Sequence, residues 1–161
     1  MQTAVLTIST TLARGEGEDA SGELLAQLAG EAGCEVVARG LVGDDTAAIE
    51  AELRAHVAAG IPLVFTTGGT GLTPDDVTPE ATRAVIERDA PGFAEALRAE
   101  SLKHTPMGIL SRGVAGTAGR TLIVNLPGSP KAVAQLFPVL APTLRHVVAT
   151  LQRNGGRDAG H

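Results

Sequence analysis

Short apolar runs alternate along this chain with longer segments whose apolar residues recur every three or four positions. Residues 4–8 and 62–66 are apolar runs rich in β-branched side chains, and residues 35–42 have a similar character. Such runs are typical of strands, and a fully apolar run is typical of a parallel strand covered on both faces. The pattern therefore predicts strands over these three segments.

The intervening segments have helical spacing. In one of them Ile49, Leu53 and Val57 recur every four residues, which places them on one face of a helix. Pro138 and Pro142 are expected to divide or kink the last helical segment, because proline removes a backbone donor. Helices are predicted over residues 20–32, 46–59, 79–89, 92–103 and 129–152.

A hairpin is predicted late in the chain, with strands over 113–117 and 120–126 joined by Ala118-Gly119. Strands that alternate with helices and then lead into a hairpin favour the α/β class. We expect a three-layer α/β/α sandwich whose mostly parallel sheet includes an antiparallel hairpin. One domain is expected over 1–153, followed by a flexible glycine-rich tail over 154–161.

Composition excludes several classes of function. Thirteen basic and eighteen acidic residues give a net charge of −5, and aromatic residues make up 2%, which argues against nucleic-acid binding. The single cysteine cannot form an internal disulfide, as is usual in a reducing compartment. No signal peptide is recognisable, and no stretch is expected to approach the length of a membrane span. The sequence predicts a soluble, cytoplasmic protein that does not bind membranes.

In sheets of this kind, ligands bind beyond the carboxyl ends of the strands. The loop after the third predicted strand contains Gly68, Gly69, Thr70 and Gly71. Three glycines in four residues permit positive φ angles and let backbone N–H groups approach a phosphate. The loop lacks the Gly-Lys-Ser/Thr of a Walker A motif and the third glycine of the dinucleotide fingerprint. Taken alone, it fits a tight turn without a ligand equally well.

Carboxylates follow both this loop and the second predicted strand. Asp75 and Asp76 lie just past the glycines, and Asp44 and Asp45 follow the second strand. A phosphate site beside carboxylates needs a divalent cation such as Mg²⁺. The alternative is helix capping, which we expect for one of Asp44 and Asp45, and which competes closely with a functional role for Asp76. If the two strands are neighbours, Asp44 and Asp76 face each other across one mouth.

The segment after the hairpin completes the predicted rim. Gly128 permits close approach, Ser129 can cap the final helix, and Lys131 places a cation in its first turn. A lysine there opposes the helix dipole unless it meets an anion, so we predict that Lys131 contacts phosphate. Ser111 and Arg112 could offer a further anion contact, with an ordinary surface arginine as the simpler interpretation.

Five motifs in a specific order resemble the Mog/MoaB family, whose molybdopterin-binding fold is shared with the G domain of gephyrin. The resemblance covers Val5 to about Leu151, and the order and spacing of the motifs are far more specific than any single one. The motifs are Thr66-Thr67-Gly68-Gly69-Thr70-Gly71, Asp76-Val77-Thr78-Pro79-Glu80-Ala81, Pro91-Gly92-Phe93, Leu110-Ser111-Arg112 and Leu126-Pro127-Gly128-Ser129-Pro130-Lys131.

The resemblance implies transfer of AMP from Mg-ATP to the phosphate of molybdopterin, with release of pyrophosphate. The two essential aspartates of the family correspond to Asp44 and Asp76, which would be catalytic and would hold Mg²⁺. It also implies a homotrimer or hexamer, and a molybdenum insertase as a candidate partner. The residues expected to bind the phosphates of molybdopterin or ATP are Ser9, Gly68, Gly69, Thr70, Gly71, Glu80, Ser111, Pro127, Gly128, Ser129 and Lys131.

One position departs from the family pattern. The loop after the first strand usually reads Ser followed by Asp or Asn, whereas here it is Ser9-Thr10-Thr11. Thr10 can form hydrogen bonds but carries no charge, so a contact is expected to be weakened or taken over by Ser9, Thr11 or Asp19. Two other functions stay open: a MoaB-type protein that binds molybdopterin without adenylating it, and a nucleotide pyrophosphatase similar to the competence/damage-inducible family.

Overall fold

The computed structural model describes residues 1–153, and its strands form one sheet. The strands are β1 (Gln2–Ile8), β2 (Glu35–Val42), β3 (Leu63–Thr67), β4 (Arg88–Asp89), β5 (Ala115–Ala118) and β6 (Thr121–Leu126). They lie in the order β2-β1-β3-β6-β5-β4. The first four strands in that order are parallel, and β5 pairs antiparallel with both β6 and β4. The predicted mostly parallel sheet with an antiparallel hairpin is confirmed.

Helices cover both faces of this sheet. They are α1 (Thr10–Ala13), α2 (Ala20–Glu31), α3 (Thr46–Ala58), α4 (Thr78–Val85), α5 (Pro91–Leu102), α6 (Pro130–Leu140) and α7 (Leu144–Leu151). Alternate residues of each strand face opposite sides. Val5 and Phe65 therefore pack in a core with α2, α5, α6 and α7, whereas Leu6 and Val64 pack in a second core with α3 and α4. The predicted three layers are confirmed.

Several boundaries differ from the sequence prediction, and two of the differences have a clear physical reason. The helix predicted to reach Asp89 ends at Val85, because Ile86 has extended backbone angles and the next residues pair with the sheet edge. Glu87 donates its N–H to the carbonyl of Thr117 at 2.8 Å, and β4 follows. The hairpin turn lies at Gly119-Arg120, one residue later than predicted, because Gly119 supplies the positive φ of +56°.

The final helical segment is divided at Pro142, as predicted, by a 3₁₀ turn over Ala141–Thr143, whereas Pro138 lies inside α6. The expectation that no stretch approaches a membrane span is wrong, since Pro130–Leu151 is long and apolar enough by length and composition. A single helix of this kind is weak evidence for a membrane, because core helices pass the same test. Here Phe137 packs edge-to-face on Phe65 of β3, with ring centroids 5.4 Å apart. The predicted tail over 154–161 lies outside the described residues.

His56 is a buried histidine whose protonation depends on the fold. Its ring lies on α3 in the core, and its Nε2 has no hydrogen-bond partner among the described residues, with Glu52 3.9 Å away. Burial lowers the pKa of His56 below its ordinary 6.5, against the opposing charge of Glu52. The unfolded chain, whose histidine keeps its ordinary pKa, then binds more protons as the pH falls below about 6.5, so stability is lost with falling pH.

Replacing His56 with leucine should therefore flatten the pH dependence of Tm below about pH 6.5, measured by thermal unfolding across pH. His146 lies exposed on α7 and supplies the matched control, because His146→Leu should leave the wild-type slope in place. A His56→Leu variant whose Tm still falls with acid as steeply as that of the wild type would show that His56 is not responsible.

Candidate functional site

The four parallel strands end at one edge of the sheet. Ile8 is in register with Val42, and Thr67 is in register with both Thr7 and Leu126. Because the strands are neighbours, the loops that follow β1, β2, β3 and β6 lie side by side at their carboxyl ends. The loops singled out from the sequence are therefore adjacent in space.

The glycine loop after β3 is pressed against its neighbours. Gly68 and Gly69 have φ angles of +102° and +68°, which side chains other than that of glycine rarely adopt. A Cβ atom on Gly68 would overlap the carbonyl oxygen of Ile8, and one on Gly128 would lie 3.1 Å from the Gly68 Cα. The close approach predicted for Gly128 is confirmed.

Hydrogen bonds to its carbonyl groups fix the direction of the loop. Thr78 donates from Oγ1 to the Gly68 carbonyl at 2.8 Å and from its N–H to the Gly69 carbonyl at 3.1 Å. Within the part of the chain that the structure describes, the N–H groups of Gly69, Thr70 and Gly71 donate no hydrogen bond. Three consecutive N–H donors are thus unengaged at the edge where ligands bind in α/β sheets.

Asp44 lies at one end of this loop. Its Oδ2 accepts hydrogen bonds from Thr10, and its Oδ1 lies 3.3 Å from the position a Cβ on Gly69 would take. Asp45 instead accepts a 3.0 Å bond from the Ala47 N–H and caps α3. The expectation that one of the pair is a helix cap is confirmed, and the cap is Asp45. Asp44 is left directed at the glycine loop.

Asp76 lies at the other end. Its Oδ2 accepts the Thr73 N–H at 3.0 Å and the Thr73 hydroxyl at 2.8 Å, and it lies 2.8 Å from the position of a Cβ on Gly71. The N-cap of α4 is Val77, which makes no side-chain capping bond. The capping interpretation of Asp76 is therefore wrong. Its carboxylate closes the turn that follows the glycines.

Arg112 holds this turn, a role that the sequence did not reveal. Its Nε donates to the Gly71 carbonyl and its Nη2 to the Asp76 carbonyl, both at 2.7 Å. Its Nη1 pairs with both carboxylate oxygens of Glu80, at 2.8 and 3.0 Å. The surrounding Leu-Ser-Arg motif was the available signal, but no spacing rule links it to a loop some 40 residues earlier.

Replacing Arg112 with lysine should destabilise the fold, because an ammonium group cannot reach both carbonyls and the carboxylate together. The exposed ion pair with Glu80 contributes little, whereas the two carbonyl bonds to a charged donor set an expected loss of about 1–3 kcal/mol. Urea unfolding would measure it. Arg145→Lys, on the exposed face of α7, is the matched control and should change nothing. Equal stabilities for the two variants would contradict the assignment.

The other predicted residues have identifiable positions. Ser9 and Ser129 cap α1 and α6 through bonds to the N–H groups of Leu12 and Ala132, so the expected cap at Ser129 is confirmed. The Ser111 hydroxyl accepts the Gly113 N–H at 3.3 Å, and the Pro127 carbonyl accepts the Thr67 hydroxyl at 2.7 Å. Lys131 is exposed in the first turn of α6 and makes no ion pair or hydrogen bond within residues 1–153. Its predicted contact with phosphate stays a prediction.

An open cavity of about 550 Å³ adjoins this rim. It includes Glu80, Ser111 and Arg112, the last of which also contacts Gly71 and Asp76. Arg83, Arg98, Asp89 and Glu95 bring both charges to its walls. Its volume lies within the range of roughly 300–1,000 Å³ typical of small-molecule sites.

Asp44 and Asp76 suit a metal ion that is also bound by the ligand. No group of three His, Cys, Asp or Glu residues within the described chain could hold a metal ion alone. Mg²⁺ is commonly bound by one or two carboxylates together with substrate phosphates. Asp44 and Asp76 each keep one carboxylate oxygen, Oδ1, without a hydrogen bond from residues 1–153. This donor set fits Mg²⁺ once a phosphate is present.

Fold and site together define an α/β protein with a glycine loop that lies between two carboxylates and whose N–H groups from Gly69 to Gly71 are unengaged. The family described as a probable molybdopterin binding domain matches residues 4–146. The chain belongs to this molybdopterin-binding domain family, as the resemblance of its motifs predicted.

Relatives of known name support the assignment. The chain is 41% identical over 144 residues to molybdenum cofactor biosynthesis protein B of Escherichia coli, covering 88% of this chain and 84% of that protein. It is 44% identical over 147 residues (89% of this chain) to the molybdenum cofactor synthesis protein cinnamon of Drosophila melanogaster, and 45% identical over 92 residues (57% of this chain) to molybdopterin adenylyltransferase of Helicobacter pylori. It spans only 24% and 52% of these last two proteins. These relatives place the chain among proteins of molybdenum cofactor biosynthesis.

Solved structures agree. The molybdopterin biosynthesis enzyme MoaB of Thermus thermophilus is 42% identical, with a TM-score of 0.88 over 93% of this chain and 95% of that one. The protein CinA of Thermoplasma acidophilum is 20% identical, with a TM-score of 0.67 over 92% of this chain and 99% of that one. At that identity the likeness to CinA shows a shared fold alone.

Proposed function

We propose that this protein acts in molybdenum cofactor biosynthesis and adenylates molybdopterin, using Mg-ATP and releasing pyrophosphate. The observation that carries the proposal is the row of unengaged N–H groups at Gly69, Thr70 and Gly71, with Asp44 at one end and Asp76 at the other. Backbone donors alone would suit any anion. Donors flanked by two carboxylates suit an anion that arrives with a divalent cation.

The backbone of the loop would bind phosphate oxygens without reorganising. Thr78 holds the carbonyls of Gly68 and Gly69, and Arg112 holds those of Thr70 and Gly71, so the three N–H groups keep their direction as charge develops. Such preorganised donors are a main source of catalysis in phosphoryl chemistry. Asp44 and Asp76 would hold Mg²⁺, which supplies neutralisation of the phosphate charges when bound.

The reaction needs no general base. A terminal phosphate oxygen of molybdopterin forms a bond to the α-phosphorus of ATP, and the bond from that phosphorus to the α,β-bridging oxygen breaks. Pyrophosphate leaves with the electron pair of the broken bond. The attacking phosphate is already ionised near neutral pH, so proximity and electrostatic stabilisation carry the step. Lys131, exposed at the start of α6, would add a cation for one of the phosphates.

The adjoining cavity offers a binding site for the organic part of the substrate. Its volume of about 550 Å³ suits a fused heterocycle, and its walls carry polar side chains at Glu80, Ser111 and Arg98. Arg112 contacts both this cavity and the glycine loop, so a ligand in the cavity could present its phosphate to the loop. We assign the pterin to this cavity and the phosphates to the loop.

We also propose that residues 1–153 form one molybdopterin-binding domain that works in the cytoplasm as a homotrimer or hexamer and passes its product to a molybdenum insertase. Exposed apolar side chains support an assembly, since Met107 and Ile109 are 61% and 69% exposed in the 3₁₀ helix Pro106–Leu110. Contiguous exposed apolar groups commonly mark interfaces. Light scattering coupled to size exclusion measures the assembly, and a monomer at micromolar concentration would refute it.

Turnover distinguishes the proposed function from its alternatives. The purified protein, incubated with ATP, Mg²⁺ and molybdopterin, should release pyrophosphate in step with adenylyl-molybdopterin identified by mass spectrometry. Stoichiometric binding of molybdopterin without pyrophosphate would instead establish a binding protein of the MoaB type. Hydrolysis of ADP-ribose with no pterin present would establish a pyrophosphatase.

A further inference from the structure

Thr10 and Asp44 form a reciprocal pair across two neighbouring loops. Thr10 donates from its N–H and from Oγ1 to the Asp44 Oδ2, at 3.1 and 2.8 Å. The same Oγ1 accepts the N–H of Asp44 at 3.0 Å. Because the hydroxyl accepts one bond and donates the other, its proton is directed at the carboxylate.

These bonds fix the orientation of the Asp44 carboxylate relative to the glycine loop. Oδ2 is held by two donors of Thr10, so Oδ1 is the oxygen that lies beside Gly69. Rotating the carboxylate would break both bonds at Oδ2. A β-branched threonine is stiff about χ1, which limits that motion further. The other polar side chains nearby are committed elsewhere, since Ser9 caps α1 and Asp19 caps α2.

We propose that Thr10 is a positioning residue that fixes the carboxylate of Asp44 so that Oδ1 faces the ligand of the glycine loop. The inference rests on the proposed function for its catalytic consequence. An acidic side chain at position 10 would bring a second negative charge to hydrogen-bonding distance of Asp44 and repel it. The neutral hydroxyl of Thr10 instead donates to the carboxylate without repulsion. In this chain Thr10 itself contacts Asp44, whereas Ser9 and Asp19 cap helices.

Thr10→Val removes the hydroxyl at almost constant shape, and Thr10→Ser retains it. Misplacing a catalytic group is costly, so kcat of Thr10→Val should fall by about tenfold to a hundredfold while the KM for ATP changes little. Thr10→Ser should restore kcat to within about threefold of wild type, because the hydroxyl proton is again directed at Oδ2. The neighbouring Thr11 is exposed and its side chain makes no hydrogen bond within residues 1–153, so Thr11→Val is the matched control.

A double-mutant cycle measured by thermal unfolding tests the contact between Thr10 and Asp44 without requiring turnover. Thr10→Val should lower Tm at least twice as much in the wild-type background as in Asp44→Ala, because the carboxylate that receives the bond is then absent. Wild-type kcat in Thr10→Val, or a fall no larger than the loss of folded protein, would overturn the positioning role. A wild-type chain without turnover would overturn the proposed function instead. Equal Tm losses in both backgrounds would then overturn the Thr10 inference as well.

Discussion

Replacing Asp76 with asparagine should reduce adenylation by at least about a hundredfold while the fold is kept, since a fixed group that stabilises transition-state charge is worth roughly 10²–10³ in kcat. The amide oxygen of asparagine can still accept both hydrogen bonds from Thr73, so the turn stays closed. The change removes the negative charge that would hold Mg²⁺ beside Gly71. Pyrophosphate release at saturating ATP measures the effect, and the Tm shows that the fold is intact.

The preceding residue supplies the control. Asp75 is exposed and makes no hydrogen bond or ion pair within the described part of the chain. Asp75→Asn removes the same charge one position away and should keep kcat within about twofold of wild type, as expected for a solvated surface charge. Equal losses of kcat in the two variants would mean that the total negative charge near the loop matters and not the position of Asp76. Undiminished turnover in Asp76→Asn would contradict the catalytic role of Asp76.

Replacing Gly68 with alanine should destabilise the fold more than Arg112→Lys or Gly60→Ala. The residue has a φ of +102°, and its Cβ would overlap the Ile8 carbonyl oxygen. A left-handed backbone costs about 1–2 kcal/mol, and forcing apart a packed contact costs a further 1–3 kcal/mol or so. For a chain of this size the expected drop in Tm is roughly 10 °C. Calorimetry would measure it directly.

Gly60 provides the comparison that separates backbone strain from overlap. Its φ is +72°, but a Cβ there would meet nothing within 4 Å. Gly60→Ala should therefore show the strain alone, a loss of about 1–2 kcal/mol. If both alanine variants lose the same stability, the glycine loop is not pressed against β1 as the structure has it.

The sequence predicted the sheet well because its signals are local. The strand over residues 35–42 and the helices starting at Ala20 and Thr46 lie where the apolar pattern placed them. Strand β4 was missed because two exposed residues carry no pattern, and only the edge of β5 makes them a strand. The short helix α1 was missed for a related reason, since its start is defined by the Ser9 cap and it buries no residue.

The site was predicted in part. Glycines and aspartates at strand ends are local signals, and the topology of a parallel sheet then brings Asp44 and Asp76 to one loop. The roles of Thr10 and Arg112 could not be predicted, because both depend on hydrogen bonds between segments more than 30 residues apart. Neither a threonine nor an arginine indicates such a bond by its residue type alone.

A crystal structure of the protein with Mg²⁺ and a non-hydrolysable ATP analogue would show directly whether the glycine loop binds phosphate. Phosphate oxygens should lie within hydrogen-bonding distance of the N–H groups of Gly69, Thr70 and Gly71, with the cation bound by Asp44, Asp76 or both. A nucleotide bound elsewhere, with these N–H groups left to solvent, would contradict this binding mode.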